Sequence, residues 1–188
     1  MSVYPAVTLM LGIWALLGFV ASVVLLGLVA RPAGRRWLRD TTGRDARPAI
    51  AGAWVVAIVA MAGSLYFSDV AGFTPCMLCW YQRILMYPLV VLLGVALWLR
   101  QPGAWRITIG LPLLGLVVAT YHVALQYRPS LEILGCDEGV PCSGRYLTVF
   151  GFISIPMLAA FAFLLICTLL TVAAVVEQPV GDQTEQSI

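Results

Sequence analysis

The chain has no lysine and a single histidine, and charged residues make up only 11% of its 188 positions. Every positive side chain apart from that histidine is therefore an arginine, which reads as a compositional bias rather than as chemistry. The sequence carries no glycine-rich phosphate loop, no basic patch interleaved with aromatics and no metal-ligand helix motif. These absences argue against nucleotide-dependent phosphoryl transfer, nucleic-acid binding and a helix-borne metal centre. Hydrophobic residues reach 61%, against roughly 45–50% in soluble domains. A soluble chain of this length, enough for one domain, could not hide so much apolar surface, and a lipid bilayer is its natural solvent.

Five stretches are long and apolar enough to span a bilayer: about 7–30, 49–68, 80–99, 107–126 and 151–176. The first lacks a positive n-region and is too long for a signal-peptide core, so it is expected to be a retained helix. The connecting stretch 31–48 holds Arg31, Arg35, Arg36, Arg39, Arg44 and Arg47, and 100–106 holds Arg100 and Arg106. The opposite connections, 69–79 and 127–150, hold only Arg128 and Arg145. Arginine enrichment marks the cytoplasmic side, so the N-terminus and the stretches 69–79 and 127–150 are expected outside, and the polar tail from Glu177 inside. Pro88, Pro112 and Pro156 fall within the apolar stretches. Kinks there are tolerated if neighbouring helices satisfy the freed carbonyls, which points to a packed bundle.

The sequence holds five cysteines. Cys76 and Cys79 form a C-x-x-C, and Cys136 and Cys142 a C-x5-C, all on the expected outer side, where disulfides persist. Cys167 lies inside the last apolar stretch and reads as a small buried hydrophobe. Two structural disulfides are one reading of the four outer cysteines. A C-x-x-C, however, closes too short a loop to constrain the unfolded chain much, and such pairs are more often redox-active. A four-cysteine zinc site is another reading, disfavoured by the wide second spacing.

Position sharpens the redox reading. Pro75 precedes Cys76 and an apolar helix follows, so the pair sits at a helix N-terminus, which favours a thiolate. Arg83, four residues beyond Cys79, lies one turn deeper on the same face and can stabilise an anion, or else snorkel to the headgroups. His122 and Gln126 are spaced i, i+4 at the outer end of another helix. That histidine could be a simple packing residue. At a depth shared with Arg83, the three together would suit a molecule with two carbonyl oxygens.

The stretch P-C-M-L-C-W-Y-Q-R-I-L-M-Y-P (75–88) resembles the signature of the DsbB/BdbC disulfide bond formation proteins. The stretch V-P-C-S-G-R-Y-L-T-V-F-G-F-I-S-I-P (140–156) is similar to the BdbC branch in particular, and His122 and Gln126 sit where the family has such residues. The resemblance covers about 50–176. It implies an all-α integral membrane protein: a four-helix transmembrane bundle over 49–176, preceded by one additional N-terminal transmembrane helix with its arginine-rich connection (1–48) and followed by a polar tail (177–188).

It further implies a membrane thiol oxidase of the bacterial cell membrane, working on an extracytoplasmic DsbA/BdbD-like thioredoxin-fold partner. Electrons would pass from the partner to Cys136 and Cys142, then to Cys76 and Cys79, then to a quinone (ubiquinone or menaquinone). Arg83, His122 and Gln126 would bind the quinone, and no metal is expected. A vitamin K epoxide reductase-like enzyme is the nearest redox alternative, but such enzymes place the C-x-x-C after the loop pair. An inert membrane scaffold is the alternative from another class.

Overall fold

The computed structural model describes residues 4–132, 140–145 and 147–177. Seven α-helices are present among them: α1 (Tyr4–Ala30), α2 (Pro32–Thr42), α3 (Arg47–Leu65), α4 (Met77–Trp98), α5 (Ala104–Thr108), α6 (Gly110–Tyr127) and α7 (Ile155–Glu177). Helix α3 runs on into a π turn, Tyr66–Val70, and a 3-10 turn, Pro129–Leu131, follows α6. No strand occurs among the described residues beyond one isolated bridge between Val149 and Ile153. The protein is an all-α membrane protein. Five helical segments are long and apolar enough to cross a bilayer: Pro5–Ala30, Arg47–Val70, Met77–Trp98, Ala104–Tyr127 and Ile155–Glu177.

The five expected spans are all present, with shifted ends. The largest shift is at the N-terminus of α7, which begins at Ile155 rather than at 151, and α4 begins earlier than expected, at Met77. Pro112 and Pro156 prove to lie in the first turns of α6 and α7, where a missing N–H is harmless, so only Pro88 is a mid-helix proline. The arginine-rich connection is not simply a loop. Much of it is α2, which buries Leu38 against Val172 and Val176 of α7 and turns its arginines outward or onto carbonyls. Arg39 Nε donates to Val175 O (2.9 Å) and Arg35 Nε to Val29 O (2.6 Å).

Helix α7 is the axis of the bundle. Half of its most apolar window is buried, against 11% for α1, and it packs on α1, α3 and α6. A helix apolar on every side can be buried on every side. Phe163, Ile166 and Leu170 on α7 meet Met86, Leu89 and Leu93 from α4 and Ala53 and Ala57 from α3 in the main core. Close approach of α6 needs Gly115, where a Cβ would run into the ring of Phe163; small residues at such crossings let membrane helices touch. Trp54 Nε1 donates to Val90 O (2.8 Å), tying α3 to α4. The arginine-rich connections gather at one end of this bundle. The start of α4, the end of α6 and the segment leading into α7 gather at the other.

Candidate active site

Cys76 is the N-cap of α4, with extended backbone (φ −73°, ψ 172°), and Cys79 lies in the first turn. The helix thus begins inside the C-x-x-C rather than after it. The two thiols are free and their sulfurs are 3.0 Å apart. From Cys79 onward, Gln82, Arg83 and Met86 follow at i+3, i+4 and i+7, so one face of α4 carries all four into a single cavity.

His122 reaches this pair from α6. Its Nε2 lies 3.6 Å from Cys76 Sγ and 3.0 Å from Cys142 O. A carbonyl oxygen can only accept, so Nε2 carries the hydrogen. Its Nδ1 then accepts from the amide nitrogen of Gln82, 3.0 Å away. His122 and Gln82 are both buried. Gln82 therefore orients a histidine that donates toward Cys76 and toward the backbone of Cys142. Cys142 is fully buried, is disulfide-bonded, and packs in one cluster with Cys76, Leu78 and Leu125. Cys136 lies outside the described residues.

The Cys76 thiol is held well below the ordinary thiol range. The largest cause is the hydrogen bond from Cys79; burial opposes it, and the hydrogen bond from His122 adds to it. A lowered value keeps the thiolate on the acid side of neutral, and reactivity is lost only as pH falls through that lowered value. Alkylation of Cys76 in reduced protein should accordingly differ by no more than about twofold between pH 8 and pH 6. A thiol of ordinary pKa near 8.5 would slow about 75-fold over that interval. Cys79→Ala should restore much of the pH dependence and His122→Ala a smaller part of it, read by mass spectrometry of the Cys76 peptide. A steep pH dependence in the unsubstituted protein would refute the thiolate assignment.

Arg83 is fixed on the other side of the pair. Its Nε donates to Ser64 Oγ (2.9 Å) and its Nη2 to Ser64 O (3.0 Å), and the guanidinium lies over Trp80, 5.4 Å from the ring centre. Ser64 sits just before the π turn that ends the α3 span, a kind of local widening that often accompanies functional sites. Tyr87 OH, 3.3 Å away, also bonds Ser64 Oγ. Gln126 lines the same cavity, but both ends of its amide are engaged by the chain. Its nitrogen donates to Gly144 O (3.2 Å), and its oxygen accepts from Ser154 Oγ (2.5 Å). Gln126 thereby fastens the segment that carries Cys142.

The structure brings Cys76, Cys79, Arg83, His122 and Gln126 around one cavity of about 610 Å³. Polar groups crowd its Cys79–Arg83 end, while α3, α7 and α1 line the remainder with apolar side chains. That is a fit for a molecule with oxygens at one end and hydrocarbon over the rest. The sequence reading missed Gln82, Ser64 and Ser154. A glutamine inside an apolar span was the available signal, since buried polar groups in a membrane need partners. The ligand atoms of Cys76, Cys79 and His122 lie within 4.8 Å of one another, close enough to hold a metal ion. His122 Nε2 also lies 3.0 Å from Cys142 O, a hydrogen bond that accounts for this nitrogen without a metal.

Paired thiols at a helix start, a histidine donating to one of them and a disulfide-bonded neighbour define a membrane protein built for thiol–disulfide exchange. Residues 46–175 match the family described as "Disulfide bond formation protein DsbB". The chain belongs to this family and is an oxidoreductase of disulfide bond formation. Disulfide bond formation protein C of Bacillus subtilis (strain 168) is 49% identical over 114 residues, covering 60% of this chain and 83% of that protein. The probable disulfide formation protein C of Halalkalibacterium halodurans is 43% identical over 124 residues, covering 64% and 90%. The probable disulfide formation protein of Oceanobacillus iheyensis is 47% identical over 123 residues, covering 62% and 81%. No solved structure matches the chain.

Proposed function

We propose that the protein reoxidises an extracytoplasmic thioredoxin-fold partner and passes the electron pair through its two cysteine pairs to a membrane quinone. The observation that carries this reading is the placement of the Cys76–Cys79 pair. The Cys76 sulfur faces His122 and packs with Cys142, and both cysteines border an apolar cavity beside Arg83. The arginine-rich end is taken as cytoplasmic and the cysteine end as extracytoplasmic, on the distribution of arginines.

A partner thiolate attacks the Cys136–Cys142 disulfide at Cys136, and Cys142 leaves as a thiolate. The partner's second thiol resolves the mixed disulfide, so the partner gains a disulfide and the loop pair is reduced. Cys142 then attacks Cys76 of an oxidised C-x-x-C, releasing Cys79. Attack of Cys136 on Cys142 restores the loop disulfide and frees Cys76 as a thiolate. His122, with its hydrogen directed at Cys76 Sγ, stabilises that leaving thiolate. When bound, a quinone accepts the two electrons and two protons that convert the Cys76–Cys79 dithiol into a disulfide. Arg83, permanently charged, favours negative charge developing at that end of the cavity. The bundle is taken as 49–176, with 1–48 and 177–188 as additions, and the family match over 46–175 supports this division.

Trapping of thiols in cells depleted of quinone tests the reading. The Cys76–Cys79 pair should accumulate as thiols within one growth cycle and return to disulfide when quinone is restored. A pair that stays oxidised without quinone is an inert staple, and the proposal fails.

A further inference from the structure

Helix α1 lies outside the residues that match the family, yet it borders the cavity that reaches Cys79 and Arg83. Met10, Leu11, Trp14, Leu17, Gly18 and Ala21 form that border. We propose that α1 is one wall of the quinone site, and that the isoprenoid tail enters from the lipid through a slot between α1 and α3. The proposal rests on the quinone reading above and adds the route and the residues that hold the tail.

The way α1 docks creates the slot. It packs on α7, with Gly18 close to Leu165 and the rings of Phe19 and Phe161 at 4.9 Å. It meets α3 toward the cysteine end, where a Cβ on Gly63 would be 3.3 Å from Leu11. Farther from that end, Trp14 and Leu17 on α1 and Val55 and Val59 on α3 line the cavity and are also 42–64% exposed. Side chains that are both lining and exposed mark a mouth. This one opens sideways, on the faces of two membrane helices, where the surroundings are lipid.

The occupant follows from the distribution of polarity. Arg83, Ser64, Gln82, His122 and Gln126 sit around the cysteine end, and the α1, α3 and α7 lining beyond is apolar. A compact ring with two oxygens suits the first part and a branched hydrocarbon chain the second. In hydrocarbon surroundings the tail gains little from leaving lipid as such. Its contacts with α1 and α3 instead come from packing, which is sensitive to side-chain shape.

The test is equilibrium binding to purified full-length protein, read by quenching of intrinsic tryptophan fluorescence. Two probes are compared: a ubiquinone with a long isoprenoid tail, and the same ring with a methyl group in place of the tail, which leaves no free ring position for thiol addition. In Leu17→Trp and Val59→Trp, which narrow the mouth, the ratio of the tailed to the tail-less Kd should rise at least about tenfold over wild type. A tenfold ratio is about 1.4 kcal/mol, on the order of ten van der Waals contacts of the tail. An unchanged ratio in both variants overturns the proposal. Independently, a tailed quinone with a photoreactive diazirine in the tail should label α1 peptides covering residues 10–21 in wild-type protein. Labelling confined to other helices overturns the proposal whatever the variants do. Failure of wild-type protein to bind either probe overturns the quinone reading itself, and the wall with it.

Discussion

Cys79→Ser protein, supplied with a dithiol donor, should reduce quinone at no more than about a thousandth of the wild-type rate, the loss expected when a covalent participant is removed. The reason is stoichiometric. Two electrons leave as one disulfide, and a hydroxyl at position 79 cannot close it with Cys76, whose sulfur is now 3.0 Å from its partner. The Cys142 disulfide belongs to a different segment, the one fastened by Gln126 through Gly144. Cys136→Ser should therefore fail at an earlier point. It should lose oxidation of the protein partner while its Cys76–Cys79 pair remains oxidisable by added quinone. Stopped-flow quinone reduction and thiol trapping separate the two defects. Cys79→Ser protein that reduces quinone normally would show that the order of electron flow is wrong.

Arg83→Ala should raise the apparent KM for quinone by about tenfold to a hundredfold, the range expected for loss of a charged hydrogen bond, while the KM for the protein partner moves by less than about twofold. Arg83 is already oriented by Ser64 and stacked over Trp80, so its charge needs little reorganisation to act. Arg83→Lys should recover only part of the loss, because an ammonium cannot hold Ser64 Oγ and Ser64 O with the guanidinium's fork. Ser64→Ala should show a smaller change of the same kind, as a residue that positions Arg83. A purely structural arginine gives a different pattern, in which folded protein is lost and both KM values move together. His122→Ala is expected to slow exchange at Cys76 more than it weakens quinone binding, since its Nε2 is directed at the thiol and at Cys142 O.

Much of this protein was legible along the chain. Five spans were visible because the hydropathy that puts a segment in lipid is a sum over about 20 neighbours and needs no tertiary partner. The C-x-x-C and Arg83 were legible for a related reason: their spacing alone sets them on one face at a helix start. The sense of the arginine asymmetry is likewise a property of the connecting stretches.

Other features arise only between distant segments. Whether His122 serves packing or chemistry depends on its contact with Cys76, 46 positions away, on Gln82, 40 positions away, and on Cys142 O, 20 positions away, which sets its tautomer. Gln126 looked like a free donor in the sequence, yet Gly144 and Ser154 take both ends of its amide. Helix α2 was hidden among arginines, and its single buried leucine has meaning only against Val172 and Val176. Helix α1 is the extreme case. It is apolar on every side, and in a bilayer such a helix has no hydrophobic stripe to say which face meets protein and which meets lipid. Steric fit decides instead: Gly18 admits Leu165, and Gly63 admits Leu11. Composition determined that α1 lies in the membrane, and packing alone determined that it lies against α7, beside the cavity that reaches Cys79.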